Sequence, residues 1–286
     1  MRRRSFALGV VVPDLANPFF AAVVSGAEKV ASREGYAVFL CETGETPAER
    51  HLEALSSRQI DGVILDAVGA AALSSSSLAG MNVVLVDESL DAYPAVVSDA
   101  EQAGDLAARH LLSLGHRRLA YIGPAIEASA FRLRERGFVR ALRSAGVSIE
   151  SDVWRRVPPT VAGGLQAMRA LLTLRTRPTA VFCANDLVAL GALKGCAMAK
   201  VAVPRELSIV GCDDIELATL VTPELTTIAV PARELGARAA RLLIRQLAEQ
   251  RGDAPAGDAS VASRTGRPLP VRLVIRGTTA ATPEAA

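Results

Sequence analysis

Four polar residues stand at or just beyond the carboxyl end of an apolar, strand-like segment: Asp14, Asp87, Asn185 and Asp213. Ligands of open α/β sheets bind at this edge. Carboxylates accept hydrogen bonds from hydroxyl groups and an amide both donates and accepts, so these residue types suit a polar ligand. Asp and Asn are also the commonest turn and N-cap residues, and for any one position alone a capping role is favoured.

The sequence contains none of the common catalytic motifs. There is no G-x-S-x-G elbow, Walker loop, H-E-x-x-H or G-x-G-x-x-G. His110 falls on an expected helix and His116 just after its cap, Gly115, where a structural role at the helix end is favoured. The four cysteines are far apart and lack a C-x-x-C pair, which favours buried free thiols. These observations indicate a binding protein that needs no metal or cofactor, rather than an enzyme.

Length and composition limit the domain count and the classes of partner. The chain has 286 residues, enough for two modest domains, and its net charge of +2 argues against a strong general attraction to nucleic acid. The basic start, Arg2 to Arg4, is followed by a strand-like run that ends at Pro13, so it does not predict a secretory signal. No run approaches the roughly 18 apolar residues that predict a membrane span. The expected location is the cytoplasm.

Strand and helix patterns alternate along the chain. The apolar run Ala7–Val12 has no alternation, which predicts a strand buried on both faces in a parallel sheet. Asn17-Pro18 then predicts an N-cap and a first helical residue. Phe20 falls in phase with the apolar positions of this helix, whereas Phe19 falls out of phase and is the better candidate for a ligand surface. The sustained alternation, in two similar halves, predicts an α/β fold with parallel sheets.

Six segments in register resemble the landmarks of one family. They are Asn17–Phe20, Arg58–Leu65, Leu114–Gly123, Arg177–Asp186, Val210–Asp214 and Leu225–Ile228. Their order and spacing, from about residue 6 to about residue 278, resemble the effector-binding core of LacI/GalR-type bacterial transcriptional repressors. The resemblance implies two Rossmann-like lobes with mostly parallel sheets, forming a hinged clamshell of the periplasmic-binding-protein-like type I.

The same resemblance implies the domain boundaries. One lobe is expected at 6–98 plus about 231–262, and the other at 99–230 plus about 269–278. Residues 1–5 would be the remnant of a linker, and residues 279–286 a disordered tail. Residues 251–270 are rich in Gly, Ala, Asp, Ser and Pro and predict a flexible surface loop, longer than is usual in the family.

Family positions that contact the effector correspond to Asp87, Arg134, Asn185 and Asp213. With Asp14, and with Phe19 and Phe182 against a ring, these residues would form a site for a small polar effector, above all a sugar or sugar derivative, between the lobes. The chain departs from the family where relatives often carry polar or aromatic side chains. The departures are Ala128, Ala130, Pro159 and Val230, and they make a purine effector less expected.

The resemblance predicts the ligand-sensing core of a homodimeric repressor. Such repressors reach operator DNA through an N-terminal helix-turn-helix, which this sequence lacks, and Arg2 to Ser5 resembles the end of the linker that would follow it. The alternative is a stand-alone or transport-related sugar-binding protein of the same fold. No contact with a membrane is expected in either case.

Overall fold

The chain folds into two α/β units in a computed structural model that describes residues 5–44, 47–66, 78, 80–90, 92–126, 128–148, 150–252 and 266–282. The first unit takes its residues from 1–98 and 231–269, and the second from 99–230 and 270–286. Each unit has its own sheet. The chain therefore leaves the first unit, builds most of the second, and returns to complete both.

The first unit contains a five-stranded sheet in which all pairs are parallel, in the order β2-β1-β3-β4-β5. Its core includes both faces of β1, in agreement with the unalternated apolar run. The elements are β1 (Ala7–Val12), α1 (Pro18–Arg33), β2 (Ala37–Glu42), α2 (Ala48–Ser57), β3 (Gly62–Leu65), β4 (Val83–Val86), β5 (Ala95–Val96) and α7 (Ala232–Arg251).

The second unit contains a six-stranded sheet in the order β11-β10-β9-β8-β6-β7. All pairs are parallel except that of the edge strand β11, which runs antiparallel to β10. The elements are α3 (Ala100–Ser113), β6 (Leu119–Pro124), α4 (Ser129–Ser144), β7 (Trp154–Val157), α5 (Val161–Leu172), β8 (Ala180–Cys183), α6 (Asp186–Met198), β9 (Ser208–Asp213), β10 (Thr226–Ala229) and β11 (Arg272–Val274).

Local sequence signals set the bounds of α1. The Asn17 side chain accepts a hydrogen bond from the Phe19 amide at 3.0 Å, and Pro18 occupies the first turn, where its missing N–H costs no hydrogen bond. After the helix, Gly35 adopts a φ of +76°, a conformation that glycine reaches at little cost. These features place Phe19 and Phe20 just beyond the carboxyl end of β1.

The structure describes parts of two segments that the sequence predicts to be irregular. In the 251–270 stretch, α7 ends at Arg251 and the Leu269 amide donates to the Val97 carbonyl at 2.8 Å, while 253–265 lie outside the described residues. In the predicted tail, the hydroxyl oxygen of Thr279 is 3.0 Å from Nε2 of His110, and the Thr282 amide donates to the Leu114 carbonyl. Side-chain and backbone hydrogen bonds to α3 and the residue that follows it order these residues. The predicted linker remnant lies outside the described residues except for its last residue.

Candidate functional site

Arg134 lies at the centre of a buried polar cluster in the second unit. Its side chain projects from α4 and is only 3% exposed. Nη1 donates to the carbonyl oxygen of Ala184 at 2.6 Å, and Nη2 lies 3.1 Å from Oδ1 of Asp213. The guanidinium carbon also lies 5.3 Å from the centre of the Phe131 ring. These three contacts fix the plane of the guanidinium group.

Strand order explains why these groups meet. Because β8 and β9 are parallel neighbours, Ala184 and Asp213 leave the sheet at the same edge. Helix α4 packs on α3 with its small and aromatic residues inward, and Arg134 lies on that buried face beside Gly137 and Phe138. An ion pair this deeply buried loses solvation, and further hydrogen bonds are needed to offset that loss. A carboxylate and a guanidinium group at the carboxyl edge of a sheet are of the chemical types that bind a polar ligand.

Asp213 belongs to a strained turn. Its φ is +121° and that of Asp214 is +57°, in a region that non-glycine residues rarely adopt. The next amide, of Ile215, donates to Oδ2 of the fully buried Asp186 at 3.0 Å. No local sequence pattern marks Asp186, because an acidic residue in the first turn of a helix is ordinary and its partners are distant in sequence.

Asn185 caps the N-terminus of α6. This is the capping role that its position in the sequence alone favoured. Its Oδ1 accepts from the Val188 amide at 2.9 Å, and its Nδ2 donates to the Pro159 carbonyl at 3.2 Å. The side chain is almost fully buried. Contact of Asn185 with an effector remains a prediction, and it would use the second amide hydrogen or the second lone pair of Oδ1.

The two carboxylates predicted for the first unit hold backbone turns. Asp87 follows β4 with a φ of +48°, and its carboxylate accepts from the Ser98 amide at 2.6 Å and from the Ser98 hydroxyl at 3.1 Å. Asp14 accepts from the Ala16 amide at 2.8 Å, in a tight turn after β1. Both are half-buried, at the carboxyl ends of parallel strands, as the sequence predicts.

The two predicted aromatic residues are core residues. Phe19 lies on the buried face of α1 with Val23 and Ala27, whereas Phe20 is only half-buried. The predicted phase was therefore wrong, because the buried face of α1 begins one residue earlier than the apolar pattern suggested. Phe182 is fully buried, with its ring centre 5.1 Å from that of Phe138 and 5.8 Å from that of Tyr121. Contact of either ring with a ligand remains a prediction.

His110 and His116 take part in structural hydrogen bonds. His116 Nδ1 is 3.0 Å from the Thr179 hydroxyl, and its Nε2 is 3.0 Å from both the Ser208 hydroxyl and the Ala280 carbonyl. Burial lowers the pKa of His116. Burial also lowers the pKa of His110, and the charge of the nearby His116 has a smaller effect in the same direction. Among the described residues, no group of three or more His, Cys, Asp or Glu side chains could hold a metal ion.

Comparison with known proteins decides the family. The model of the periplasmic binding protein-like domain matches residues 108–279. The transcriptional repressor CytR of Escherichia coli is 33% identical, over 99% of this chain and 82% of its own length. The chain belongs to the LacI family of transcriptional regulators. The ribose operon repressor of Escherichia coli is also 33% identical, over 85% of this chain and 76% of its own length.

Solved structures of LacI-family regulators have the same fold. The regulator from Enterococcus faecium, solved with bound ribose, has a TM-score of 0.82 and 30% identity, covering 96% of this chain and 99% of its own. The family assignment confirms the resemblance found in the sequence and the prediction of two α/β units with mostly parallel sheets. In the part of the chain that the structure describes, no helix is long and apolar enough to cross a membrane.

Proposed function

We propose that this LacI-family core senses a small polyhydroxylated effector, a sugar or sugar derivative, and so controls the DNA binding of a cytoplasmic transcriptional regulator. The observation that carries the proposal is the buried cluster of Arg134, Asp213 and the Ala184 carbonyl, at the carboxyl edge of a parallel sheet. The related regulator that contains ribose supports the ligand class.

The chemistry of the cluster matches sugar hydroxyls. A carboxylate accepts hydrogen bonds from hydroxyl groups, and a guanidinium group, which carries five N–H donors, donates to hydroxyl oxygens. Ala128 and Val230 are buried and apolar, so neither side chain offers a hydrogen bond. A nucleobase would find fewer hydrogen-bonding partners at these positions than a sugar would at the cluster.

We further propose that the effector engages both units, with Asp87 contributed by the first and the Arg134–Asp213 pair by the second. A ligand shifts a conformational equilibrium only through a difference in its affinity for the two states. Contacts divided between two units provide such a difference if the units move. In the complete regulator, this movement would be transmitted to the helix-turn-helix that reads the operator.

We also propose a homodimer, held by apolar side chains on both units. On the first unit, Phe39 and Leu40 of the edge strand β2 are 45% and 43% exposed, and on the second, Met198 and Leu220 are 61% and 70% exposed. A two-fold dimer suits a palindromic operator. Sedimentation should show a dimer at tens of micromolar, and Leu220→Glu should shift it toward monomer. A monomeric wild-type chain would contradict the assembly.

A thermal-shift screen of sugars, polyols, nucleosides and amino acids tests the site. A bound effector stabilises the fold by RT ln(1 + [L]/Kd), or about 2.7 kcal/mol at a hundredfold excess over Kd. Asp213→Asn keeps the shape of the side chain but removes its charge, and Arg134→Ala removes the donor fork. Each should abolish the shift produced by any sugar that binds the wild type.

The matched control is Glu234→Gln, which removes the charge of a surface carboxylate on α7 that pairs with Arg238. This variant should retain the full shift. Normal sugar affinity in folded Asp213→Asn and Arg134→Ala variants would show that the effector binds elsewhere.

A further inference from the structure

Asp186 connects three elements of the second unit. It is the first residue of α6 and is fully buried. Oδ1 accepts from the Thr227 hydroxyl of β10 at 2.6 Å, and Oδ2 accepts from the Ile215 amide, in the loop after β9, at 3.0 Å. One carboxylate therefore holds a helix start, a strand and a loop together.

The loop held by Asp186 is the one that carries Asp213. Two consecutive left-handed residues, Asp213 and Asp214, precede Ile215. Such conformations persist only where their surroundings fix them. Arg276 holds the Asp214 carboxylate at 2.6 Å, and the hydrogen bond from Ile215 to Asp186 fixes the end of the turn. The direction in which Asp213 leaves β9 depends on these contacts.

The carboxylate fits closely into its surroundings. A Cβ atom at Gly211 would lie 2.2 Å from Oδ1 of Asp186 and 3.0 Å from a methyl carbon of Leu225. The absence of a side chain at Gly211 therefore makes the space that Asp186 occupies. An isosteric change at Asp186 alters its chemistry without altering this packing.

We propose that Asp186 is a positioning residue, whose ionised carboxylate holds the Asp213–Ile215 turn so that Asp213 meets Arg134, and thereby sets the affinity for the effector. The expected effect of Asp186 on effector affinity rests on the proposed function. The effect of Asp186 on the turn can be measured without any effector.

The charge of Asp186 makes the structure of the Asp213–Ile215 turn sensitive to pH. Burial raises the pKa of Asp186 to about 6, although the hydrogen bonds from Thr227 and Ile215 act in the opposite direction. The titratable groups facing it are Asp214 on the turn, whose charge also raises the pKa, and Cys183 at the end of β8. When pH falls through 6, Asp186 gains a proton and loses its charge. A proton on Oδ1 can donate to the Thr227 hydroxyl, which also accepts, but the hydrogen bond from the Ile215 amide then goes to a neutral group and is weaker. The turn should then loosen.

Amide hydrogen exchange followed by NMR tests the turn directly. Relative to the intrinsic rate at each pH, exchange at Ile215 should be about tenfold faster in Asp186→Asn than in the wild type at pH 7.5, a change of about 1.4 kcal/mol. In the wild type it should also be faster at pH 5 than at pH 7.5. The Val188 amide, which is held by Asn185, is the internal control and should be unaffected. Unchanged protection at Ile215 would overturn the proposal.

Titration with D-ribose, or with the sugar that gives the largest shift in the screen, tests the consequence for affinity. Asp186→Asn should weaken binding about tenfold at pH 7.5 and remove the loss of affinity between pH 7.5 and pH 5. Thr227→Val removes one donor to Asp186 and should weaken binding, whereas Thr227→Ser keeps the hydroxyl and should not. If Asp186→Asn fails to fold, the two Thr227 variants still test the positioning role of Asp186.

The two proposals fail in different ways. If Asp213→Asn abolishes sugar binding but Asp186→Asn and Thr227→Val bind normally at every pH, the positioning role is wrong and the proposed site stands. If Asp213→Asn itself binds sugar normally, the proposed site is wrong, whatever the exchange at Ile215 shows.

Discussion

The close packing of α3 on α4 predicts that Gly104→Ala disturbs both stability and the candidate site. A Cβ atom at Gly104 would lie 1.8 Å from the carbonyl oxygen of Arg134, and one at Gly137 would lie 1.9 Å from the carbonyl oxygen of Glu101. The two helices thus touch backbone to backbone. The carbonyl that would be struck belongs to the residue whose guanidinium organises the cluster.

The size of the effect follows from the overlap. Ordinary van der Waals contact begins at 3.4 Å, so the helices must separate by roughly 1.6 Å, since a backbone carbonyl cannot rotate away. Overpacking of this kind costs about 1–3 kcal/mol and occasionally more. Alanine regains about 1 kcal/mol of helix propensity over glycine. The difference is about 0–2 kcal/mol, and we expect a net loss near the upper end, about 2 kcal/mol, because the atom that is struck belongs to the backbone.

The same displacement should move Arg134 away from its partners. Its contacts with Ala184 and Asp213 are 2.6 and 3.1 Å, so a shift of about 1.6 Å exceeds the tolerance of a hydrogen bond. Sugar affinity should therefore fall along with stability. Urea unfolding measures the first effect and calorimetric titration the second.

Two other glycines provide controls. A Cβ at Gly236 would lie 1.9 Å from the Val23 carbonyl in the first unit, so Gly236→Ala should destabilise that unit to a similar extent while the Arg134 cluster stays intact. A Cβ at Gly195 would lie 3.0 Å from Cβ and Cγ of Met168 and 3.6 Å from a methyl carbon of Leu165, all of them side-chain atoms, so Gly195→Ala should cost much less than Gly104→Ala. Wild-type stability and wild-type sugar affinity in Gly104→Ala would refute the reasoning.

Two further predictions concern polar groups in the core of the second unit. The hydroxyl of Tyr121 is buried without a hydrogen-bond partner among the described residues, and burial raises its pKa. Tyr121→Phe should therefore raise the free energy of unfolding by about 1 kcal/mol, measured in urea, and a loss would reveal a partner. Burial lowers the pKa of His116 below its ordinary value of 6.5, so the unfolded chain gains a proton first as pH falls. The stability contributed by the neutral ring is complete above pH 6.5 and is lost below it, so between pH 7.5 and pH 5 the wild type should lose more stability than His116→Gln. Equal losses in the two proteins would contradict this assignment.

The sequence by itself determined the α/β class of the fold and the bounds of its first strand and helix start. The unalternated run of β1, the Asn17-Pro18 start of α1 and the glycine after its end act within a few residues, so they can be interpreted without knowing what lies nearby. The same holds for the placement of Asp14, Asp87, Asn185 and Asp213 at strand ends, because the edge of a parallel sheet is implied by the strand itself. The family resemblance supplied Arg134, which no local pattern marks.

The tertiary structure decided which of these side chains meet. Arg134 and Asp213 are far apart in sequence and pair only because α4 packs on α3 beside the adjacent strands β8 and β9. The carboxylate of Asp186 finds its partners at Ile215 and Thr227, on segments separated from it by a whole strand or more. The phase of Phe19 was likewise set by the packing of α1. Hydrogen bonds and burial of this kind depend on strand order and helix packing, which the chain specifies only as a whole.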